Sequence, residues 1–294
     1  MTDLSYTIPF EDDGLPVRNI ALSRLGMSYG QLKRAKFEGK ILLDGVQVRA
    51  DVRVREGQKL VICLPQAASS PIAPYPMPLV VPYHDEYLLV VDKPAPLASS
   101  PSHHQLSPTL ENAVFSYLGC PEGFVYRPVN RLDKGTSGLM VVALHAHAQH
   151  RLQTMLHTEA FVREYLAVCD GFPTPEQGDV CCAIAKAEGA TVRREVSPVG
   201  KYAVTHYLEL ERGTRRSLVQ LRLETGRTHQ IRVHMQWLGC PVTGDFLYGT
   251  EVPSLPRRFA LHSHRVCFMH PITGKTIEVK SPLPQELAAL MAQA

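Results

Sequence analysis

Residues 130–138 read Asn-Arg-Leu-Asp-Lys-Gly-Thr-Ser-Gly and are followed by the apolar run 139–144. The run is short, uncharged and partly β-branched, so it predicts a buried strand, and the glycine-rich stretch before it predicts a turn. Asp133 stands on that turn between Arg131 and Lys134. Because a buried carboxylate is strongly destabilising unless it is paired, Asp133 is predicted to be either one half of a structural ion pair or a catalytic group.

Many strands and a few helices are predicted along the rest of the chain. Apolar runs and alternating patterns indicate strands, whereas apolar residues at helical spacing with capping signals indicate helices. The predicted strands after residue 82 are 87–91, 139–144, 162–168, 203–210, 219–224, 266–269 and 276–279, and the predicted helices are 109–118, 145–157 and 228–238. Because the helices are scattered irregularly among the strands, the fold class is predicted to be α+β with a mixed, largely antiparallel sheet.

Charge and composition divide the chain into four segments. Residues 1–14 form an acidic leader without basic residues, and residues 15–64 hold the basic excess. Ten basic and four acidic residues give 15–62 a net charge of +6, whereas the whole chain of 294 residues carries only +3. The prolines of 65–82 predict a stiff linker, so residues 83–294 are expected to form the larger domain.

The basic segment has the pattern of a small α+β module. A helix is predicted over 29–37, and Asp-Gly between apolar arms downstream predicts a hairpin. The basic residues expected to contact RNA are Arg24, Lys33, Arg34 and Lys36. A solvated basic face is the alternative, but the order of the elements together with the concentrated charge favours RNA binding through salt-dependent phosphate contacts.

Several other kinds of site are not indicated. The seven cysteines are odd in number and include no Cys-x-x-Cys pair, so free thiols in a reducing cytosol are expected. No uncharged apolar stretch approaches the ~20 residues of a membrane span, and the first residues lack the features of a signal peptide. The histidines show no zinc-ligand spacing, and no phosphate-loop or dinucleotide motif occurs. The sequence therefore predicts a cytoplasmic protein with no metal, no cofactor and no membrane segment, and a monomer is favoured.

Three strings and the basic module resemble one protein family. Arg-Leu-Asp-x-x-Thr-Ser-Gly at 131–138 resembles the signature of the large bacterial pseudouridine synthases that modify ribosomal large-subunit RNA and tRNA. The family usually has histidine where this chain has Asn130. Arg-Glu-Tyr-Leu-Ala-Val at 163–168 and Thr-Gly-Arg-Thr-His-Gln-Ile-Arg at 225–232 are also similar to the family pattern, and the basic module resembles the S4-type RNA-binding domain of many members. The resemblance implies a pseudouridine synthase catalytic domain with RNA as its partner.

The resemblance also implies roles for three residues. Asp133 is expected to be a covalent nucleophile on the target uridine, because a carboxylate is ionised at neutral pH and is a good leaving group. Tyr165 is expected to line the active site, and a phenol with a lowered pKa would also shuttle a proton. Arg227 is expected to pair with Asp133 and keep it oriented. From residue types alone, the alternatives are a structural ion pair for Asp133, strand packing for Tyr165 and a phosphate contact or surface cap for Arg227.

Further residues are predicted to contact RNA. Arg131 resembles the arginine with which the family helps to extrude the target nucleotide, and a surface salt bridge is its alternative. His229 and Gln230 are predicted RNA contacts, with core hydrogen bonding as an equal alternative. The expected activity is isomerisation of uridine to pseudouridine in ribosomal RNA, or in tRNA. The competing functions are a non-catalytic RNA-binding or ribosome-assembly factor, and a carboxylate-dependent glycosidase, which would need a second acid near Asp133.

Overall fold

The computed structural model describes residues 2–37, 40–64, 72–101 and 108–292, which contain a small N-terminal sheet and a large sheet. The elements of the N-terminal module are β1 (Thr2–Thr7), a 3-10 turn (Phe10–Asp12), α1 (Val17–Asn19), a π-helical turn (Ile20–Arg24), α2 (Tyr29–Phe37), β2 (Lys40–Leu43), β3 (Val46–Gln47) and β4 (Lys59–Leu64). Its strands pair antiparallel in the order β1-β4-β2-β3. The predicted Asp-Gly hairpin joins β2 to β3, with Asp44 and Gly45 at φ of 50° and 80°, as a two-residue hairpin turn requires.

The structure corrects the prediction that residues 1–14 are a separate acidic leader. β1 pairs antiparallel with β4, from Thr2 opposite Leu64 to Thr7 opposite Lys59, and it forms one edge of the module's sheet. Asp12 is fully buried, and its carboxylate accepts hydrogen bonds from Arg24 and Tyr6. The acidic residues of this segment therefore include one that neutralises a basic residue of the module itself.

The large sheet follows from β5 onward. Its elements and the helices between them are β5 (Val80–His84), β6 (Leu88–Lys93), α3 (Leu110–Tyr117), β7 (Ser137–Ala143), α4 (Ala146–Met155), β8 (Phe161–Asp170), β9 (Gln177–Cys181), β10 (Ile184–Lys186), β11 (Arg194–Val196), β12 (Val204–Arg212), β13 (Arg216–Leu223), α5 (Gln230–Trp237), β14 (Leu261–Met269), β15 (Thr276–Lys280) and α6 (Gln285–Ala292). The strand order is β5-β6-β7-β14-β8-β13-β12-β9, β15 pairs with β14, and β10 and β11 form a separate ribbon. Only β7 and β14 pair in parallel among the described strands, so the predicted α+β class with a mixed, largely antiparallel sheet is confirmed.

Both faces of the central strands are covered, which explains their uninterrupted apolar sequences. On β6, Leu89 and Val91 pack into one core cluster and Leu88 and Val90 into another. All seven residues of β7 are buried. The turn that carries Asp133 is therefore attached to one of the most enclosed strands in the protein.

The predicted start of the larger domain at residue 83 is slightly too late. β5 begins at Val80 and joins the large sheet, because its first residue pairs with Asp92. Residues 65–71 of the predicted linker lie outside the described residues. Within its later part, the Tyr75 amide donates to Ser116 Oγ of α3 at 2.6 Å. This part of the linker is thus attached to the larger domain.

Candidate active site

The Asp133 turn is fastened to the preceding loop on both sides of the aspartate. The Leu97 amide donates to the carbonyl of Lys134 at 3.0 Å. Ser99 Oγ donates to the carbonyl of Leu132 at 2.6 Å, and Ser99 is itself buried. The backbone around Asp133 is therefore held from residues 132 and 134, so the carboxylate is presented from a fixed position.

Asn130, where the resembling family usually has histidine, has a structural contact. Its side chain is buried, and its Oδ1 accepts a hydrogen bond from the Val141 amide at 2.9 Å. This bond joins the start of the turn to the strand β7 that follows it. Asn130 thus helps to hold the turn, and it is not among the residues that bind the Asp133 carboxylate.

Two glycines of the turn are required by close packing. A Cβ on Gly135 would lie 2.6 Å from the Phe259 ring, so glycine lets this ring lie directly beneath the turn. Gly138 has a φ of 107°, and a Cβ there would overlap the backbone of Ser263 on β14. The glycines that marked this stretch in the sequence therefore permit its close contact with Phe259 and with β14.

Arg232, on α5, binds the Asp133 carboxylate. Its Nη1 donates to Asp133 Oδ2 at 2.9 Å, while Nε and Nη2 donate to the two oxygens of Asp245 at 2.6 and 2.9 Å. Asp245 is fully buried, and the Arg232 side chain is 3% exposed. The guanidinium also lies over the rings of Phe259 and Tyr248, at 4.2 and 4.9 Å from their centroids. Because it is clamped by Asp245 and these rings, Arg232 has little freedom to change its position relative to Asp133.

The prediction that Arg227 pairs with Asp133 is wrong. Arg227 precedes α5 and is exposed, and its Nε donates to the carbonyl of Tyr202 at 2.9 Å. Arg232 pairs with Asp133 because Arg232 lies in the first turn of α5 and is buried. Arg227 lies before the helix and is exposed. Both arginines belong to the same string of sequence, and the spacing alone did not distinguish them.

Tyr165 lies on β8 and is 5% exposed. It pairs across the sheet with Ser263 of β14, the residue against which Gly138 packs. Burial raises the pKa of the Tyr165 hydroxyl, while the positive charge of Arg163 and a hydrogen bond with Ser263 act in the opposite direction. The phenol therefore stays protonated at neutral pH, which removes the predicted option of a proton shuttle with a lowered pKa and leaves that of a wall for the substrate.

His229 faces Asp133 from the start of α5. Its backbone has a φ of 58°, and its Nε2 lies 3.9 Å from Asp133 Oδ2. Its Nδ1 is 2.8 Å from the Tyr248 hydroxyl. Burial lowers the pKa of His229, so the ring is neutral at pH 7. His229 is thus a neutral hydrogen-bonding group beside the carboxylate, and its contact with RNA stays a prediction.

Gln230 has a structural role instead of the predicted RNA contact. It is 3% exposed, and its Nε2 donates to the carbonyl of Val204 at 2.8 Å and to Thr205 Oγ1 at 3.0 Å. Its Oε1 accepts from Thr225 Oγ1 and from the Arg227 amide. With both ends of the amide satisfied, Gln230 fastens the start of α5 to β12.

Asp133, Tyr165 and Arg227 line one cavity of about 550 Å³, together with the exposed Arg131 and with His229. The three strings that were distant in sequence are therefore brought to one place. The wall of the cavity has more cationic than anionic side chains, which suits a polyanionic ligand.

Lys93 is a buried residue near the site that was not among the predicted site residues. It is completely enclosed, and its Nζ donates to the carbonyls of Pro94 and Leu97 at 3.1 and 2.7 Å. Burial lowers its pKa to about 7, whereas the nearby Asp133 acts to raise it. The Leu97 carbonyl that it holds belongs to the residue whose amide binds the Asp133 turn. Its position at the end of the apolar strand β6 was the available sequence signal.

The predicted RNA contacts of the N-terminal module differ in their environments. On α2, Lys33 and Lys36 are exposed and Arg34 is half-buried. Arg24 instead donates from Nε and Nη2 to Asp12, so its observed contact is structural and competes with the predicted contact to RNA. Lys33 and Lys36 are thus the predicted contacts best placed to meet a ligand.

The described part of the chain offers neither a metal cluster nor a membrane-spanning helix. Within 2–37, 40–64, 72–101 and 108–292, no group of three or more histidine, cysteine, aspartate or glutamate side chains is placed to hold a metal ion. In the same residues no helix is both long and apolar enough to cross a membrane.

Comparison with known proteins gives a consistent result. The family model described as RNA pseudouridylate synthase matches residues 87–237. The uncharacterized RNA pseudouridine synthase YlyB of Bacillus subtilis is 35% identical over 258 residues, which cover 86% of this chain and 85% of that protein. Ribosomal large subunit pseudouridine synthase D of Xylella fastidiosa is 36% identical over 272 residues, covering 86% of this chain and 81% of that protein.

Solved structures are similar as well. Human RNA pseudouridylate synthase domain containing 1 superposes with a TM-score of 0.57 at 27% identity, over 70% of this chain and 83% of that one. Matches in fold and in sequence thus agree on one family of RNA-modifying isomerases. The chain belongs to the RNA pseudouridylate synthase family.

Proposed function

We propose that this protein converts specific uridines of ribosomal large-subunit RNA to pseudouridine, with Asp133 as the nucleophile. The observation that carries the proposal is the Asp133 carboxylate in the wall of a large cavity, bound by a clamped guanidinium and close to Tyr165. The choice of RNA is supported by the similarity to a protein named ribosomal large subunit pseudouridine synthase D.

The reaction is an isomerisation within one nucleotide. The bond from N1 of uracil to C1′ of the ribose breaks, the uracil turns, and a bond from C5 to C1′ forms. The proton leaves C5 and N1 gains one, so the composition of the nucleotide is unchanged and no cofactor is required. Asp133 attacks the ribose or the uracil ring and is later released from the adduct, which a carboxylate allows because it is a good leaving group.

The other residues of the cavity have supporting roles in this proposal. Arg232 orients the Asp133 carboxylate, and Tyr165 forms a wall for the flipped base. Arg131, Arg227 and His229 contact the RNA around the target nucleotide. The target has to leave its stack to reach Asp133, which costs a few kcal/mol and favours unpaired uridines over those in a duplex.

The N-terminal module adds RNA affinity in the same proposal. Its order of helix and hairpin and the exposed Lys33 and Lys36 on α2 support an S4-like role in RNA binding. We expect it to contact phosphates without reading sequence. The protein is expected to act as a monomer in the cytoplasm.

The glycosidase alternative is disfavoured by the position of the second carboxylate. Asp245 shares Arg232 with Asp133, but it is fully buried and accepts two hydrogen bonds from that arginine. A general acid has to reach the leaving group, and an enclosed, doubly bound carboxylate is unsuited to this.

The test is to map pseudouridines in total RNA from cells with and without the gene. We expect at least one pseudouridine of large-subunit RNA to disappear without the gene and to return with the wild-type protein. It should not return with Asp133→Ala. A change confined to tRNA would show that tRNA, and not ribosomal RNA, is the substrate. Full restoration by Asp133→Ala would refute the assignment of Asp133 as the nucleophile. An unchanged map would favour a non-catalytic RNA-binding factor.

A further inference from the structure

A buried arginine, Arg163, lines the same cavity and has no part in the chemistry described above. It lies on β8 two residues before Tyr165, so both side chains extend from the same side of the strand. It is 4% exposed and contributes to the cavity wall together with Asp133 and His157. Two residues of a strand advance by about 7 Å, so Arg163 lies within one nucleotide's reach of Tyr165.

The charge of Arg163 is not balanced by a carboxylate among the described residues. Two other largely buried arginines have acidic partners: Arg232 binds two aspartates, and Arg258 binds Glu286. Arg163 Nη2 instead donates to the carbonyl of Leu156 at 3.1 Å and lies 3.5 Å from Nδ1 of the neutral His157. Its Nε is buried and has no hydrogen-bond partner within the described chain. An enclosed, unpaired charge is strongly unfavourable, which points to a ligand as the missing counterion.

The surroundings of Arg163 form a corner that fits an anion. His157 Nδ1 lies 3.1 Å from the carbonyl of Glu224, and this contact holds the ring in place beside Arg163. A Cβ on Gly226 would lie 3.3 Å from Arg163 Nη1 and 3.3 Å from His157 Cε1. Glycine at 226 thus lets the turn before α5 lie directly against both side chains. Arg163, His157 and Gly226 are hereafter called the Arg163 corner.

We propose that the Arg163 corner binds a phosphodiester group of the RNA next to the target uridine. This inference rests on the proposed function, since it assigns one contact of the same substrate. A phosphate neutralises the guanidinium and accepts from its free N–H groups, whereas a uracil carbonyl accepts a hydrogen bond without balancing the charge. Because Arg163 is buried without an acidic partner, a phosphate group is the ligand that it favours.

The contact positions the substrate. Held by a phosphate on one side and by the wall at Tyr165 on the other, the nucleotide is fixed relative to the Asp133 carboxylate. Fixing a substrate in this way lowers the barrier because the reacting atoms need no further ordering. Arg163 is thus a positioning residue, and it does not touch the reacting atoms.

The experiment combines a protein change with a change in one phosphate. Synthetic RNA fragments that contain the mapped uridine carry one uncharged methylphosphonate linkage, either 5′ or 3′ to that uridine. Wild type, Arg163→Met and Arg163→Lys are assayed on these and on natural RNA. The matched control is Arg222→Met, which removes a partly exposed arginine of β13 that pairs with Glu159.

One linkage should matter to the wild-type protein and not to the methionine variant. We expect the wild type to lose about 10- to 100-fold in kcat/KM on one methylphosphonate RNA, the range for a hydrogen bond to a charged group. Arg163→Met should lose a similar factor on natural RNA and nothing further on the methylphosphonate RNA. Arg163→Lys should recover part of the loss, and Arg222→Met should behave as the wild type.

Other outcomes overturn the inference. Equal sensitivity of Arg163→Met and wild type to the same methylphosphonate would mean that Arg163 contacts something else, such as the uracil. A wild type insensitive to both linkages would exclude the phosphate contact even if Arg163→Met fails to fold. A wild-type protein that modifies no RNA would instead refute the proposed function, and this result is separate from the others.

Discussion

Replacing Arg232 by glutamine tests whether this residue holds Asp133. The change removes the hydrogen bond to Asp133 at 2.9 Å and both bonds to Asp245. Asp245 is left fully buried with only backbone donors, the Leu247 and Tyr248 amides at 3.0 and 3.3 Å. Removing one partner of a buried ion pair typically costs about 3–5 kcal/mol, so the free energy of unfolding should fall by roughly this amount.

The matched control is Arg227→Gln. Arg227 is exposed and its side chain donates to a single backbone carbonyl, that of Tyr202, so its removal should cost roughly 1 kcal/mol or less. A second check is the double variant Arg232→Gln/Asp245→Asn. It removes the stranded carboxylate together with the arginine, so it should be more stable than Arg232→Gln alone.

Urea unfolding of the full chain measures the stability of these variants, and steady-state kinetics on the mapped RNA measures their activity. We expect Arg232→Gln to lower kcat by roughly 100-fold or more, because Asp133 is no longer held in position. Arg227→Gln should act mainly on KM, because it removes a cation that binds RNA. The reasoning is refuted if Arg227→Gln is the more damaging of the two to stability, or if Arg232→Gln keeps the wild-type kcat.

Other parts of the structure give three more expected outcomes. Gly138→Ala should lower the free energy of unfolding by at least ~1–3 kcal/mol, because its Cβ would overlap the backbone of β14 and its φ is 107°. Gly30→Ala in helix α2 should instead raise it slightly, by up to about 1 kcal/mol, and similar urea midpoints for both variants would contradict the packing argument. The pKa of Lys93 is lowered from 10.5 to about 7, so between these pH values the unfolded chain binds more protons and the free energy of unfolding should rise with pH. Lys93→Met should lack this contribution to the slope, which is at most about 1.4 kcal/mol per pH unit. Equal slopes of stability against pH for the two proteins would reject the lowered pKa. Replacing Lys33 and Lys36 by glutamine should weaken RNA binding. The slope of log affinity against log salt concentration should become shallower by roughly 0.7–0.9 for each phosphate that the protein no longer neutralises. An unchanged slope would show that α2 is not part of the RNA-binding surface.

The architecture was largely accessible from sequence because its signals are local. The apolar runs of β6 and β7 indicated buried strands, and the Asp44-Gly45 turn indicated the N-terminal hairpin. Thr109 was expected at a helix start, and it forms a capping box with Asn112 of α3. Each of these features depends on residues close together in the chain, so local physical chemistry determines it.

The partners of the site could not be predicted in the same way. The distinction between Arg227 and Arg232 depends on where α5 begins and on which of its faces is buried, and the predicted start at residue 228 was two residues early. Asp245 carries no local signal, because it is identified only by its contact with Arg232. Asp12 was read as part of an acidic leader, although burial and a partner at residue 24 make it structural.

The direction of a pKa shift also depends on the assembled environment. A lowered pKa for Tyr165 was one option from sequence, whereas its burial on the central strand β8 raises the pKa. Lys93 lies just after a predicted strand, and only its complete enclosure makes its charge marginal at neutral pH. Desolvation results from contacts between distant segments, so neither effect is visible in a single stretch of sequence.

The most direct test of the central claim is single-turnover modification of the mapped RNA by Asp133→Asn, with RNA affinity measured in parallel. Asparagine keeps the size of the side chain and removes the negative charge, so Arg232 and the cavity wall retain a hydrogen-bonding neighbour. We expect no detectable pseudouridine while the dissociation constant for RNA stays close to that of the wild type. Formation of pseudouridine by Asp133→Asn at the wild-type rate would contradict the assignment of Asp133 as the nucleophile.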